Sequence, residues 1–300
     1  MKKVVGIGAC VLDTLIVCDT YPDEDIKYRA NKITKAGGGP VANALVMLAK
    51  MGVQAEFAGA LSADADGHFL ATELQRYGVQ INHVRHIPET KAFTSYVLLS
   101  QKTGSRTCVY ERGNVPDDPE QMDFSVLDGA DILHLDGNSL STALAAAQYA
   151  KEKGILVSLD AGGLYPGIEK LLPYVDVLIP SEEFALGLTG EEDAQQAVDI
   201  LQKKYTPKIL AVTQGVRGGI LYDKESFRHW ESFPVHCVDS NGAGDTFHGA
   251  FLGAYVNGYE PYECCRIASA ASAIKCTKVG MRDAIPSLSE ILAFLESKRK

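Results

Sequence analysis

Short apolar runs alternate with longer amphipathic segments through most of the chain, and this rhythm restricts its fold more than any other feature. Val4–Ala9 is too short for a helix and too uniformly apolar for a strand with one wet face, so it reads as a buried strand. Val41–Met51 reads as a helix closed by Gly52, Gln54–Ala60 as a strand, and Asp64–Tyr77 as an amphipathic helix closed by Gly78. The pattern continues through strand Asp131–Asp136, helix Ser139–Lys153 and strand Ile155–Asp160. Strand Asp176–Ile179, helices Glu182–Leu188 and Ala194–Lys203, and strand Lys208–Thr213 follow. Strands separated by helices are joined by crossovers and run parallel. The expectation is an α/β fold with a mostly parallel central sheet.

Two regions break the rhythm. Thr14–Thr20 and Lys27–Lys35 are strand-like with no helix between them. Ala92–Ser100 and Arg106–Arg112 are similar, and flank the turn signal Lys102-Thr103-Gly104-Ser105. These four segments are expected to form a small sheet of their own, a lid or an oligomer surface; the alternative is two hairpins on the core edge. Beyond Gly215, Gly218–Tyr222 and Phe227–Trp230 read as antiparallel edge strands and Phe233–Val238 as a further strand. Helices are expected at Ala243–Asn257, Tyr262–Lys275 and Ser287–Lys298. No repeat or low-complexity linker interrupts the chain, so residues 1–300 read as one domain with lid strands from about 14–35 and 92–112 inserted.

Composition narrows the function classes. Lys and Arg total 29 against 38 Asp and Glu, a net charge of −9, which argues against bulk binding to nucleic acid or anionic membrane but leaves room for a local basic pocket. No stretch approaches the ~18 apolar residues of a membrane span. The N-terminus resembles the start of a signal peptide, but its apolar run is too short and Asp13 interrupts it. The seven cysteines form no C-x-x-C pair, which gives no support to a zinc ribbon or a thioredoxin motif. Scattered thiols suggest a reducing, cytoplasmic compartment.

In open α/β sheets, ligands bind beyond the carboxyl ends of the strands. The most informative segment there is Asp239-Ser240-Asn241-Gly242-Ala243-Gly244-Asp245, between the Phe233–Val238 run and the next helix. Glycines let the backbone turn sharply, and a helix N-terminus presents free N–H groups that suit a phosphate. Asp245, in the first helical turn, is placed to accept a proton from a hydroxyl attacking that phosphate. First-turn aspartates also serve as helix caps or dipole partners.

The segment resembles the C-terminal signature of ribokinase-like (PfkB) carbohydrate kinases, D-T-x-G-A-G-D, with Ser240 where Thr is commoner. The resemblance spans Gly6 to Pro286. It implies a three-layer α/β/α sandwich with a small β-sheet lid that covers the sugar and makes a homodimer contact. It also implies ATP and Mg²⁺ as cofactors, a sugar-like alcohol as substrate, an anion hole at Gly242, Ala243 and Gly244, and Asp245 as general base.

Other motifs take roles from the same resemblance. Gly37-Gly38-Gly39-Pro40-Val41-Ala42-Asn43 resembles the sugar-contacting signature G-G-x-x-x-N, which assigns substrate contacts to Gly38, Gly39 and Asn43. Asp13 and Asp136, each following a strand, are expected to bind sugar hydroxyls. Thr213-Gln214-Gly215-Val216-Arg217-Gly218 resembles the nucleotide turn T-x-G-x-x-G, giving ATP contacts to Thr213, Gly215 and Gly218. Pro180-Ser181-Glu182-Glu183-Phe184 departs from the family's P-N-x-x-E: Ser181 replaces Asn, and Phe184 stands where Glu organises Mg²⁺-bound water. Either Glu182 or Glu183 supplies that carboxylate or the magnesium shell is organised differently. Ser181 as a plain N-cap fits equally well. A monovalent cation such as K⁺ is expected at Asp239 and Asn241 with the stretch Cys276–Arg282, as in some relatives. Lys27, Asn138 and Arg282 are placed near the pocket or on the surface.

Rival readings are weaker. Gly6-Ile7-Gly8 lacks the third glycine of G-x-G-x-x-G, since position 11 is Val11, which disfavours a dinucleotide oxidoreductase. No G-x-x-x-x-G-K-[ST] occurs, which disfavours a classical P-loop kinase. A non-catalytic sugar- or nucleotide-binding regulator would have no need of Asp245 in its glycine context. Among kinases, a ketose or modified hexose is the expected substrate, with a nucleoside as the alternative.

Overall fold

The computed structural model describes residues 1–298. The chain opens with β1 (Lys3–Ile7), β2 (Val11–Cys18), β3 (Lys32–Gly38) and α1 (Pro40–Lys50). β4 (Gln54–Phe57), β5 (Gly59–Ser62) and α2 (Ala65–Arg76) follow. Next come β6 (Val84–Ile87), β7 (Thr94–Ser100), β8 (Arg106–Glu111), β9 (Ile132–Leu135) and α3 (Leu140–Glu152). After these are β10 (Leu156–Ala161), β11 (Val177–Pro180), α4 (Glu182–Thr189), α5 (Ala194–Tyr205) and β12 (Ile209–Thr213). β13 (Gly219–Asp223) and β14 (Ser226–Trp230) lead to α6 (Ala243–Val256), α7 (Pro261–Cys276) and α8 (Leu288–Ser297).

The main sheet runs β14-β13-β12-β11-β10-β9-β1-β4. Its members from β12 to β4 are parallel, and β13 is antiparallel to both its neighbours. Successive strand residues point to opposite faces, so the apolar runs fill two cores. Val4, Ile132, Val177 and Ile209 pack under α1, α6 and α7. Val5, Leu133, Leu178 and Leu210 pack under α3, α4 and α5. This is the α/β/α sandwich with a mostly parallel sheet. Because the strands are parallel, residues leaving β1, β9, β10, β11 and β12 emerge along one edge, and that edge carries the site.

The four out-of-rhythm segments form a separate sheet, β3-β2-β7-β8. Leu15, Val17, Val97 and Leu99 make a buried cluster on one of its faces. The other face shows apolar side chains to solvent: Ile33 is 64% exposed, Tyr96 50% and Val109 61%.

Three sequence expectations are corrected. β2 begins at Val11, so Asp13 lies inside a lid strand rather than in a loop after β1. Gln54–Ala60 breaks at Ala58: its first half pairs with β1, and Gly59–Ser62 pairs with β6, a strand with no expectation in the sequence. Phe233–Val238 is not a strand. Pro234 has no N–H to give a ladder, Phe233 packs edge-on against Phe294 of α8, and the N–H groups of Val238 and Asp239 both go to the Cys276 carbonyl.

Candidate active site

The two glycine signatures meet. Asn43 Nδ2 donates to Asp245 Oδ2 at 2.7 Å, across 202 residues of sequence. Arg282 Nε donates to Asn43 Oδ1 at 3.2 Å, and its Nη2 donates to the Gly38 carbonyl at 3.1 Å. Arg282, one of three residues whose distance from the pocket the sequence left open, is therefore at the site and buried. Close approach explains two of the glycines. A Cβ on Gly38 would lie 2.0 Å from Asp13 Oδ2, and one on Gly37 would lie 2.2 Å from Arg282 Nη1. Pro40 then opens α1 at a position where its missing N–H costs nothing.

Asp13 accepts a hydrogen bond from Ser95 Oγ at 2.5 Å. Burial pushes its carboxyl up to about 6; the Asp245 charge adds to this, while the Ser95 bond and the Arg282 and Arg106 charges oppose it. Asp245 is also raised, by burial first and by the Asp160 charge, against the Asn43 hydrogen bond. Such a group is a stronger proton acceptor than an ordinary carboxylate once ionised.

Asp136 is turned to the backbone. Its Oδ2 accepts from Ala9 N–H at 2.8 Å, and its Oδ1 accepts from Asn138 N–H at 2.9 Å. Burial pushes it up to about 6. It thereby fixes the Gly8–Cys10 segment that leads into Asp13.

Sequence reasoning missed Asp160, the penultimate residue of strand β10. It sits 3.2 Å from His248 Nε2 of α6. Burial works to raise its carboxyl, but His248 holds it below the usual range. Its position on the same edge as Asp136 was the available signal.

At the turn into α6, Gly242 takes φ +76° and the first-turn N–H groups have no partner within the helix. Ala243 N–H turns back to the Ser240 carbonyl at 3.2 Å. Asp239 organises the turn: Oδ1 accepts from Asn241 N–H at 2.9 Å, and Oδ2 accepts from Gly280 N–H at 3.0 Å. From the lid, Arg106 Nε donates to Asn241 Oδ1 at 3.2 Å, a link no sequence motif announced.

The monovalent cation expected at Asp239 and Asn241 does not fit. The ammonium of Lys275 already lies there, fully buried, donating to the Asp239 carbonyl at 2.9 Å and 3.7 Å from Asp239 Oδ1.

On the nucleotide side, Ser181 and Thr213 bridge the ends of β11 and β12. Thr213 Oγ1 donates to the Pro180 carbonyl at 3.4 Å. Gly215 and Gly218 take φ +58° and +85° in the turn to β13. Ser181 caps α4 by accepting from Phe184 N–H at 3.1 Å, and Phe184 is buried in the core. Glu182 accepts from Gln214 Nε2 at 2.7 Å and pairs with Arg217, so it is committed to this turn. Glu183 is exposed. No group of three or more His, Cys, Asp or Glu that could hold a metal ion occurs among the described residues.

A cavity of about 300 Å³, of the size that holds small ligands, adjoins this edge and is lined by Gly8, Ala9, Cys10, Arg85, Arg112 and Asn138 among others. Arg112 donates to the Asn138 carbonyl at 3.3 Å and lies over the Tyr165 ring; Arg85 donates to Gln121 Oε1 at 3.0 Å. Lys27 is exposed and does not line this cavity.

The profile of the pfkB family of carbohydrate kinases matches residues 1–288. The fructokinase of Solanum tuberosum is 30% identical over 87% of this chain and 87% of its own. The ATP-dependent ribose-1-phosphate kinase of Halopiger xanaduensis is 25% identical over 99% of both chains. Among solved structures, Arabidopsis thaliana ribokinase complexed with ribose and ATP superposes with a TM-score of 0.87 at 29% identity, covering 98% of this chain and 99% of that one.

Proposed function

The chain belongs to the pfkB family of carbohydrate kinases, and from that premise we propose that it phosphorylates a hydroxyl of a ketose or modified hexose with ATP. Asp245 takes the hydroxyl proton, the freed oxygen attacks the terminal phosphorus in line, and the bond to the ADP oxygen breaks. The backbone turn Gly242-Ala243-Gly244 receives the charge that grows on the phosphoryl oxygens. Asp13, Gly38, Gly39 and Asn43 bind the sugar, and Asp136 supports it through the Gly8–Cys10 backbone. Ser181, Thr213, Gly215 and Gly218 line the nucleotide. When bound, Mg²⁺ would neutralise phosphate charge, with Glu183 the acid left free to hold its water. The observation that carries this reading is the Asn43–Asp245 hydrogen bond, because it sets the sugar signature against the base.

A second reading concerns the sugar itself. Arg85 and Arg112 line the adjoining cavity and form no ion pair among the described residues. Asp117 also lines the cavity, but its carboxylate is taken up by Ser141 and Thr142, and two cations with no carboxylate partner favour a substrate bearing an anionic group, such as a sugar acid or sugar phosphate. The similarity to a ribose-1-phosphate kinase points the same way.

An ADP-release screen with ATP and Mg²⁺ over ketoses, aldoses, sugar acids, sugar phosphates and nucleosides tests both. Turnover on a sugar supports the first reading. Preference for an acidic sugar, with KM raised about tenfold or more by Arg112→Ala, supports the second. Turnover on nucleosides alone would replace both with a nucleoside kinase, and turnover on nothing would favour a binding protein. The free cysteines are consistent with a reducing, cytoplasmic setting, and no helix among the described residues is long and apolar enough to cross a membrane.

A further inference from the structure

We infer that Lys275 is a built-in cation that holds the phosphoryl-transfer turn in place and makes an added monovalent ion unnecessary. The inference rests on the kinase reading for its catalytic consequence, but not for its structural one. Lysine is among the residues least often buried without a partner, yet the Lys275 side chain has no exposure at all. It comes from the last turn of α7, where a lysine ordinarily reaches solvent or the last carbonyls of its own helix. Here it turns inward to Asp239, the residue that ends the segment before the glycine turn.

Asp239 is the hub of that turn. One carboxylate oxygen holds Asn241 N–H and the other holds Gly280 N–H, and both oxygens are buried. A buried carboxylate with no countercharge would be costly. The ammonium at 3.7 Å supplies that countercharge, and its hydrogen bond to the Asp239 carbonyl fixes the main chain three residues before Gly242. A fixed positive charge beneath a phosphate-binding turn also favours the charge of the transferred group. Lys275 touches neither sugar nor nucleotide in this account. It is a positioning residue, and it acts through Asp239.

The test compares wild type, Lys275→Met and Lys275→Ala in buffers of K⁺, Na⁺ and tetramethylammonium, reading melting temperature and steady-state kinetics. Wild type should melt and turn over alike in all three. Lys275→Met should lose about tenfold to a hundredfold in kcat with sugar KM little changed. Lys275→Ala vacates the position of the ammonium, so K⁺ should raise its melting temperature and restore part of its kcat, while tetramethylammonium should do neither. Wild type activated severalfold by K⁺, or Lys275→Met with wild-type kcat, would overturn the inference. So would a Lys275→Ala melting temperature indifferent to K⁺. The melting comparison needs no substrate, so it separates failure of this inference from failure of the kinase reading, and the wild-type cation comparison stands even if a variant does not fold.

Discussion

Asp13 illustrates how a site residue works against the stability of its own fold. Its carboxyl is raised to about 6 in the folded protein, by burial above all. A raised acid means that the native state binds the proton more tightly than the unfolded chain does. The protein is therefore free of the penalty below about pH 4, and the penalty grows as pH rises through 6. A two-unit shift corresponds to about 3 kcal/mol at neutral pH and above. Asp13→Asn should melt higher than wild type at pH 8, lose that advantage at pH 4, and bind sugar poorly. A variant less stable than wild type at pH 8 would contradict the assignment of burial as the cause. At this scale legibility followed local pattern. Asp13, Asn43 and Asp245 stand in glycine-rich or strand-end contexts that the sequence displays. Lys275 and Arg106 do not, because a lysine on a helix and an arginine on a strand look like surface residues until a partner distant in sequence is known. Asp136 was legible as a strand-end acid, but its bond to Ala9 depends on the neighbouring strand, 127 residues away in sequence.

The lid is the element whose behaviour is most open to test. Paired register positions put Tyr96 and Val109 side by side, and Ile16 opposite Ile33, on one face. The opposite face holds the buried cluster of Leu15, Val17, Val97 and Leu99. An exposed sheet face with this much apolar surface favours a protein partner, and we propose a second copy of this chain. Analytical ultracentrifugation should find a dimer for wild type and a monomer for the Tyr96→Glu/Val109→Glu variant; a monomeric wild type would refute the proposal. Lid strands were legible because no helix separates them; β7 and β8 fall close to the expected bounds, but the ends of β2 and β3 are displaced by several residues. Asp19–Asn31 lies outside any strand, although its flanks carry β-prone residues. The expected strand at Phe233–Val238 failed for a related reason. Local composition favours an extended chain there, but no free sheet edge takes it, and Cys276 accepts its amides instead.

For the whole molecule, the parallel sheet was readable because burial on both faces leaves continuous apolar runs, whereas the order of the strands, with β1 between β9 and β4, depends on crossovers that those runs do not encode. The site was less readable because it is assembled between distant segments: Gly37–Asn43 and Asp239–Asp245 carry recognisable spacing, whereas the Asn43–Asp245 bond that joins them, and the Arg282 guanidinium that holds Asn43, exist only in three dimensions. The account's central claim is that the assembled carboxylate, Asp245, removes the proton from the attacking hydroxyl. Rapid-quench measurement of sugar-phosphate formation by Asp245→Asn, with saturating ATP, Mg²⁺ and the sugar identified by the screen, tests it most directly. The transfer rate should fall by about 10²–10⁴ while calorimetry shows nucleotide and sugar binding close to wild type. Phosphoryl transfer by Asp245→Asn at the wild-type rate would contradict the claim.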